Sequence, residues 1–486
     1  MHRPRLTPLV LALLSSVLFT LACNHRLWAY LNAQFAGPLL HHGYVMTASV
    51  VLITSLQFIL LALLVNRWTA KPVLAALILA TAATTYFMDK FGTYMDVPMI
   101  ENILQTDFRE ASDLLARDML PHLFIYAVIP LVLLWRLQVK APPLRQSWHH
   151  RPLALLAATV IAAGSLATIS RHFVPLIREH KEVRYLVTPG NYLVSLARAL
   201  SARSKVITTR TVVGADARHA TAIPAQGKPS LLVIVVGETV RAANWGLNGY
   251  GRQTTPELSR LGVVNFSDVR SCGTNTEISV PCMFSALGKR HYDADAITGS
   301  ESLLDVLHHA GLRVLWRDNQ SGCKGVCAGV EFSSAPFVPD DPLCHGTVCM
   351  DEALLSGLAD EVDKTPGDLV VVLHQMGNHG PAYYQRYPAD YRRFTPTCDS
   401  SDLGQCNPQQ VVNSYDNALL YTDHVLARTV AFLQQQSAHR DTAMIYVSDH
   451  GESLGEHGLY LHSLPYAIAP DTQTHVPMVM WLSDDL

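Results

Sequence analysis

The chain has 486 residues, a formal net charge of −3 at pH 7, 49% hydrophobic residues and 16% charged ones. That length accommodates more than one domain. The near-balanced charge provides no field for gripping a nucleic-acid backbone, so nucleic acid is not an expected partner.

Apolar residues concentrate in the first 170 positions. Five runs there, 8–23, 44–65, 72–88, 121–135 and 152–169, read as an all-α transmembrane bundle over 1–170. A spanning helix needs about 20 mostly apolar residues, so the shorter runs borrow flanking ones. Arg3 and Arg5 precede the first run, Arg67 and Lys71 separate the second and third, and Arg136, Lys140, Arg145 and Arg151 separate the fourth and fifth. In the other loops, Lys90, Arg109 and Arg117 are offset by acids. Positive loops stay inside, which puts the N-terminus in the cytoplasm and everything after the fifth run outside. Cys23 closes the first run in Leu21-Ala22-Cys23, a weak likeness to a lipoprotein cleavage site. A helix cysteine is the expected reading, since later spans already anchor the chain. Between the third and fourth runs, Asn102, Thr106 and Glu110 recur four apart and share a face if helical, an ordinary polar face being the simplest account.

Residues 171–228 form an amphipathic and linker segment. Within it, 191–202 reads as a short helix lying on the membrane surface or packed on the soluble part, and 206–228 as a polar linker.

From 229 to 486 the pattern is that of a soluble α/β domain. The β-branched runs 231–236, 313–316, 369–373 and 443–447 each end in polar residues and alternate with helical stretches. Continuous apolar strands imply a mostly parallel sheet buried on both faces, and such sheets bind ligands at the carboxyl ends of their strands. Eight of the nine cysteines lie here, spaced for close pairing as 272–282, 323–327, 344–349 and 398–406. This suits an oxidising compartment; a cysteine metal site is the rival reading, but repeated C-x-x-C spacing is missing.

Residues 271–285 hold two hydroxyls, Thr274 and Thr276, in a loop that a 272–282 bridge would close. A hydroxyl so held is a candidate nucleophile if something lowers its pKa. Glu238, Asp449 and His450 follow predicted strands and offer a zinc ion two carboxylates and an imidazole, with a fourth position open to the hydroxyl. His379 and His462 are candidates for a second metal or for holding a phosphate, and Lys324 for a phosphate contact. His457 and His475 read as ordinary loop histidines.

The segments Gly237-Glu238-Thr239-Val240-Arg241, 272–285, 377–387 (GNHGPAYYQRY), 448–462 (SDHGESLGEHGLYLH) and 101–110 resemble the bacterial phosphoethanolamine transferases that modify lipid A, including the mobile colistin-resistance enzymes. The soluble part resembles the alkaline phosphatase and sulfatase superfamily. The resemblance implies an inner-membrane, multi-pass enzyme, a monomer with a periplasmic catalytic domain and one tight zinc, with room for a second. Thr276 rather than Thr274 would be the nucleophile, and Glu238, Thr276, Asp449 and His450 the zinc shell. His379 and His462 would hold a second zinc or the donor phosphate. Asn102, Thr106, Glu110, Ser321 and Lys324 would contact the lipid donor, phosphatidylethanolamine. Lipid A would be the acceptor, and its lowered negative charge would confer polymyxin resistance. Relatives of this kind continue beyond the strand read at 476–482, so an incomplete sheet edge or a shortened chain is expected. A sulfatase would need C/S-x-P-x-R, which neither Cys272 nor Cys282 opens. Rival readings are transfer to core oligosaccharide or a periplasmic glucan, and a catalytically silent membrane sensor.

Overall fold

A computed structural model describes residues 4–35, 39–105, 114, 117–140, 144–204, 210–218, 227–345 and 348–484. Its contacts divide the chain into two compact units, Met1–Ile100 with Ala116–Ser201, and Glu101–Leu115 with Ala202–Leu486.

The first unit is helical: α1 Pro8–Ala22, α2 His25–Gln34, α3 Leu39–Leu64, α4 Ala70–Phe91, α6 Met119–Arg136, α7 Leu144–Glu179 and α8 Gly190–Ser204 up to Ser201, while the boundary also falls within α5 Val97–Gln105. Among the described residues, four helices (α3, α4, α6 and part of α7) are long and apolar enough to cross a membrane. The fifth expected span, 8–23, is a bent pair: α1 breaks at Cys23–Asn24 and α2 leaves at 58°. Asn24 explains the break. Its side chain donates to the Phe19 and Thr188 carbonyls and accepts from Thr188 N–H, and Gln57 donates to the same Thr188 carbonyl. Buried polar groups away from water must pair in this way, and they pin the 180–190 turn against α1 and α3. Residues 171–201 therefore group with the membrane helices, and within α8 Tyr192 bonds Thr81 of α4.

The second unit is built on a seven-stranded sheet: β1 Ser230–Gly237, β2 Val264–Arg270, β3 Arg313–Asp318, β4 Glu331–Ser334, β5 Leu369–His374, β6 Asp441–Ser448 and β7 His475–Leu482, in the order β2-β7-β6-β1-β5-β3-β4. The five strands β6, β1, β5, β3 and β4 are parallel to one another, and β7 runs antiparallel to both β6 and β2. Every residue of β5 is buried, which is why its sequence, Leu-Val-Val-Val-Leu-His, has no polar alternation. The strand expected at 476–482 as a sheet edge is interior, with β2 outside it. The helices that matter for the site are α9 Thr276–Met283, α10 Leu303–His309 and α12 Pro408–Gln436, with α11 Leu358–Asp363 between the last two. All four cysteine pairs form as disulfides, and Cys23 is free. The stretch expected as linker is tied down at 210–213: Arg210 forks onto Asp305, and Thr211 pairs with Gly299 and Glu301.

Candidate active site

Parallel register builds the site. Ser448 of β6 lies opposite Gly237 of β1, Val236 opposite His374 of β5, and His374 opposite Asp318 of β3. The next residues in each chain direction, Glu238 after β1 and Asp449-His450 after β6, therefore emerge side by side at one edge of the sheet. Thr239 follows at φ 56°, a costly conformation for a β-branched residue, and its N–H donates to Asp449 Oδ1. Across from them, α9 starts at Thr276. Asn275 caps it by accepting from Ile278 N–H, and the Cys272–Cys282 bridge closes the loop behind. Thr276 thus sits at the positive end of a helix.

Glu238, Asp449 and His450 are fully buried, with ligand atoms all within 4.8 Å of one another. Thr276 Oγ1 donates to Glu238 Oε2 at 3.1 Å and lies 3.5 Å from His450 Nε2. His450 Nε2 is 3.3 Å from Glu238 Oε1 and 3.4 Å from Asp449 Oδ2. Its other nitrogen, Nδ1, bonds the Gly451 carbonyl at 3.0 Å, which fixes Nε2 as the atom facing the site. Asp449 Oδ1 accepts two backbone N–H groups, while the buried Oδ2 accepts no hydrogen bond and has only the His450 imidazole nearby. Burial opposes charge on His450, but the Asp449 and Glu238 carboxylates overturn this and raise its pKa to about 10. Burial and the Glu238 charge push Asp449 up to about 7; Glu238, buried but bonded to His450, falls well below the usual carboxylate range. The cradle thus demands positive charge. A carboxylate oxygen that accepts no hydrogen bond, a second carboxylate, an oriented imidazole and a hydroxyl are a donor set that fits a divalent cation, whose binding would release the imidazole proton.

Comparison with known proteins places this site in a lineage. Residues 230–486 match the sulfatase family model, and 53–204 match that of the phosphoethanolamine transferases EptA/EptB. The chain is 36% identical to phosphoethanolamine transferase EptA of Escherichia coli K12 over 486 residues, covering 100% of this chain and 89% of that one. It is 38% identical to phosphatidylethanolamine transferase Mcr-2 of Escherichia coli, covering 99% and 91%. The solved integral membrane lipooligosaccharide phosphoethanolamine transferase A of Neisseria meningitidis superposes with a TM-score of 0.94 at 33% identity, covering 99% and 90%. The chain belongs to the phosphoethanolamine transferase family.

In this family member the remaining expected residues fall into three groups. His379 and His462 join the cradle: the His450 and His462 rings are 4.4 Å apart and those of His379 and His462 5.6 Å. Burial drops both pKa values to about 3, so both are neutral at pH 7, and His379 Nδ1 has no partner. Lys324 and Ser321 form a second cluster, with Lys324 Nζ 2.7 Å from Ser321 Oγ and 2.6 Å from Glu277 Oε1. Asn102 lies on α5, whereas Thr106 and Glu110 fall outside the described residues. Thr274, the other hydroxyl of the loop, donates to the Leu464 carbonyl and is committed to structure.

Four neighbours escaped sequence reasoning. Gln320 donates to Glu238 Oε2 at 2.9 Å, and Glu452 is fully buried against His462 Nδ1 at 3.3 Å. His374 bonds Asp318 at 2.8 Å beneath the site, and Glu277 holds Lys324. Glu452 carried a signal inside the Ser-Asp-His-Gly-Glu stretch, and His374 as the polar residue that ends the run 369–373; Gln320 and Glu277 acquire a role only through partners distant in sequence.

Proposed function

We propose that the chain transfers phosphoethanolamine from phosphatidylethanolamine to a phosphate of lipid A, by way of a phosphoethanolamine group carried on Thr276. The observation that carries this reading is the hydroxyl of Thr276, 3.1 Å from Glu238 and 3.5 Å from His450, at a cradle where an Asp449 oxygen accepts no hydrogen bond. Glu238, Asp449, His450 and Thr276 would hold zinc, which when bound lowers the pKa of a neighbouring hydroxyl and offsets phosphoryl charge. Glu238 aligns the Thr276 hydroxyl. The Thr276 oxygen bonds to phosphorus, the bond from phosphorus to the diacylglycerol oxygen breaks, and diacylglycerol leaves with a proton. An oxygen of a lipid A phosphate then attacks the same phosphorus, the bond from phosphorus to Thr276 Oγ1 breaks, and the threonine oxygen takes up the proton given up by that phosphate or by water. Neutral His379 and His462 would border the phosphoryl group, and Lys324 and Ser321 would contact the donor phosphate. The transmembrane helices keep the enzyme in the inner membrane with both lipid substrates, which raises their effective concentration at a periplasmic site. The added amine offsets phosphate charge on lipid A, so polycationic polymyxins bind less well.

The test is a mass spectrum of lipid A from cells with and without the chain. Lipid A carrying one added phosphoethanolamine only in cells with the chain supports the reading. Unmodified lipid A beside a modified core sugar or periplasmic glucan would reassign the acceptor.

A further inference from the structure

A buried ion pair stands beside the nucleophile. The Lys324 and Glu277 side chains are only 5% and 6% exposed, and Nζ lies 2.6 Å from Oε1. Lys324 also donates to Ser321 Oγ at 2.7 Å and to the Ser321 carbonyl at 3.3 Å. An ammonium has three donors, so all three are used. Lys324 therefore cannot bind a phosphate oxygen without releasing one of these acceptors. Glu277 is the one with a negative charge to give up.

The pair is coupled to Thr276 from two sides. Glu277 is the next residue along α9. Ser321 follows Gln320, which donates to Glu238 Oε2, the same oxygen that accepts the Thr276 hydroxyl. Burying two charges is expensive, and an apolar pair of equal volume commonly serves stability as well. Phosphoethanolamine carries one anionic phosphoryl group and one ammonium, separated by an ester oxygen and two carbons. Its charges mirror those of the pair.

Resting on the reading of Thr276 as the transfer residue, we propose that Glu277 is the specificity-determining residue for the ethanolamine head group. On binding, a phosphoryl oxygen takes the place of Glu277 at Lys324 and the substrate ammonium takes the place of Lys324 at Glu277. One buried ion pair becomes two, and no charge is left alone. A head group without an ammonium would strand the Glu277 carboxylate, which is how it is rejected.

The experiment uses the full-length, detergent-solubilised enzyme and measures inhibition of donor cleavage by O-phosphoethanolamine and by ethyl phosphate, which lacks the ammonium. The wild type should prefer O-phosphoethanolamine by at least about tenfold, the worth of one charge-assisted contact. Glu277→Gln should lose that preference while binding ethyl phosphate as well as or better than the wild type, because Lys324 is freed. Equal binding of both compounds by the wild type overturns the proposal. So does equal weakening of both by Glu277→Gln, the mark of a purely structural staple. Should Glu277→Gln not fold, the double variant Glu277→Gln, Lys324→Gln leaves no unpaired charge; a preference near one supports the proposal and a wild-type preference sinks it. Absence of a phosphoethanolamine adduct on wild-type Thr276 would instead defeat the transfer reading, which separates the two failures.

Discussion

At the scale of single residues, the proposed chemistry depends on one hydroxyl and on backbone room around Glu238. Thr276 Oγ1 is bonded only within the site, and Glu238 Oε2 keeps Gln320 as a second donor. Thr276→Ala should therefore leave the unfolding midpoint near that of the wild type while cutting turnover by at least about 10³-fold, as removal of a nucleophile does elsewhere. Intact-protein mass after mixing with phosphatidylethanolamine checks it: the wild type gains one phosphoethanolamine and the variant none. Gly377 makes a second demand. Its φ is +52°, and a Cβ there would sit 2.6 Å from the Glu238 carbonyl oxygen and 3.0 Å from its nitrogen. Gly377→Ala should cost about 1–3 kcal/mol and displace the Glu238 backbone, so turnover falls with stability. Gly458→Ala is the control, since its φ of +73° carries the conformational cost while a Cβ there meets nothing within 4 Å. Equal losses of activity in the two variants would show that crowding of Glu238 is not the cause.

Elements explain what the sequence could and could not reveal. Glu238 and Asp449-His450 were legible as one group because each follows an apolar strand, and parallel neighbours bring their carboxyl ends to one edge. The bend after α1 was not legible, because it depends on Asn24 meeting Thr188 far along the chain. Nor was the anchoring of 210–213, which lies within a stretch, 206–228, that reads as linker until Arg210 finds Asp305. That contact fixes the start of α10. Asp305 accepts Ser302 N–H at 2.7 Å in a capping box and takes two bonds from Arg210, each 3.0 Å. Burial alone would raise its pKa, but the Ser302 backbone bond and the Arg210 bonds bring it below the ordinary carboxylate value. A depressed folded pKa means the stabilisation is complete above the unfolded value, about 3.9, and is lost as pH falls through the folded one. Asp305→Asn should destabilise by about 2 kcal/mol at pH 7. The gap between variant and wild-type unfolding midpoints should close as the pH drops below 4. A gap independent of pH would mean that packing, not charge, sets the cost.

For the whole molecule the question is which side of the membrane holds the catalytic unit, and two unrelated features bear on it. By the positive-inside rule the Arg and Lys residues of the loops predict the N-terminus inside and the segment after the last span outside. The eight cysteines of the second unit are all paired, and stable structural pairs of this kind are characteristic of an oxidising compartment. Cys23, in the first unit, is the one free thiol. The two features are physically independent, one set by charge during insertion and the other by thiol chemistry afterwards. Their agreement gives a count that a reversed chain could not reproduce. Protein taken directly from cells, denatured without reductant and alkylated, should gain one label per chain; after full reduction it should gain nine, the total number of cysteines. Several labels before reduction would place the second unit on the reducing side, where it could not reach lipids of the outer leaflet. The orientation drawn from the loop charges would then have to be abandoned, and with it the lipid A acceptor.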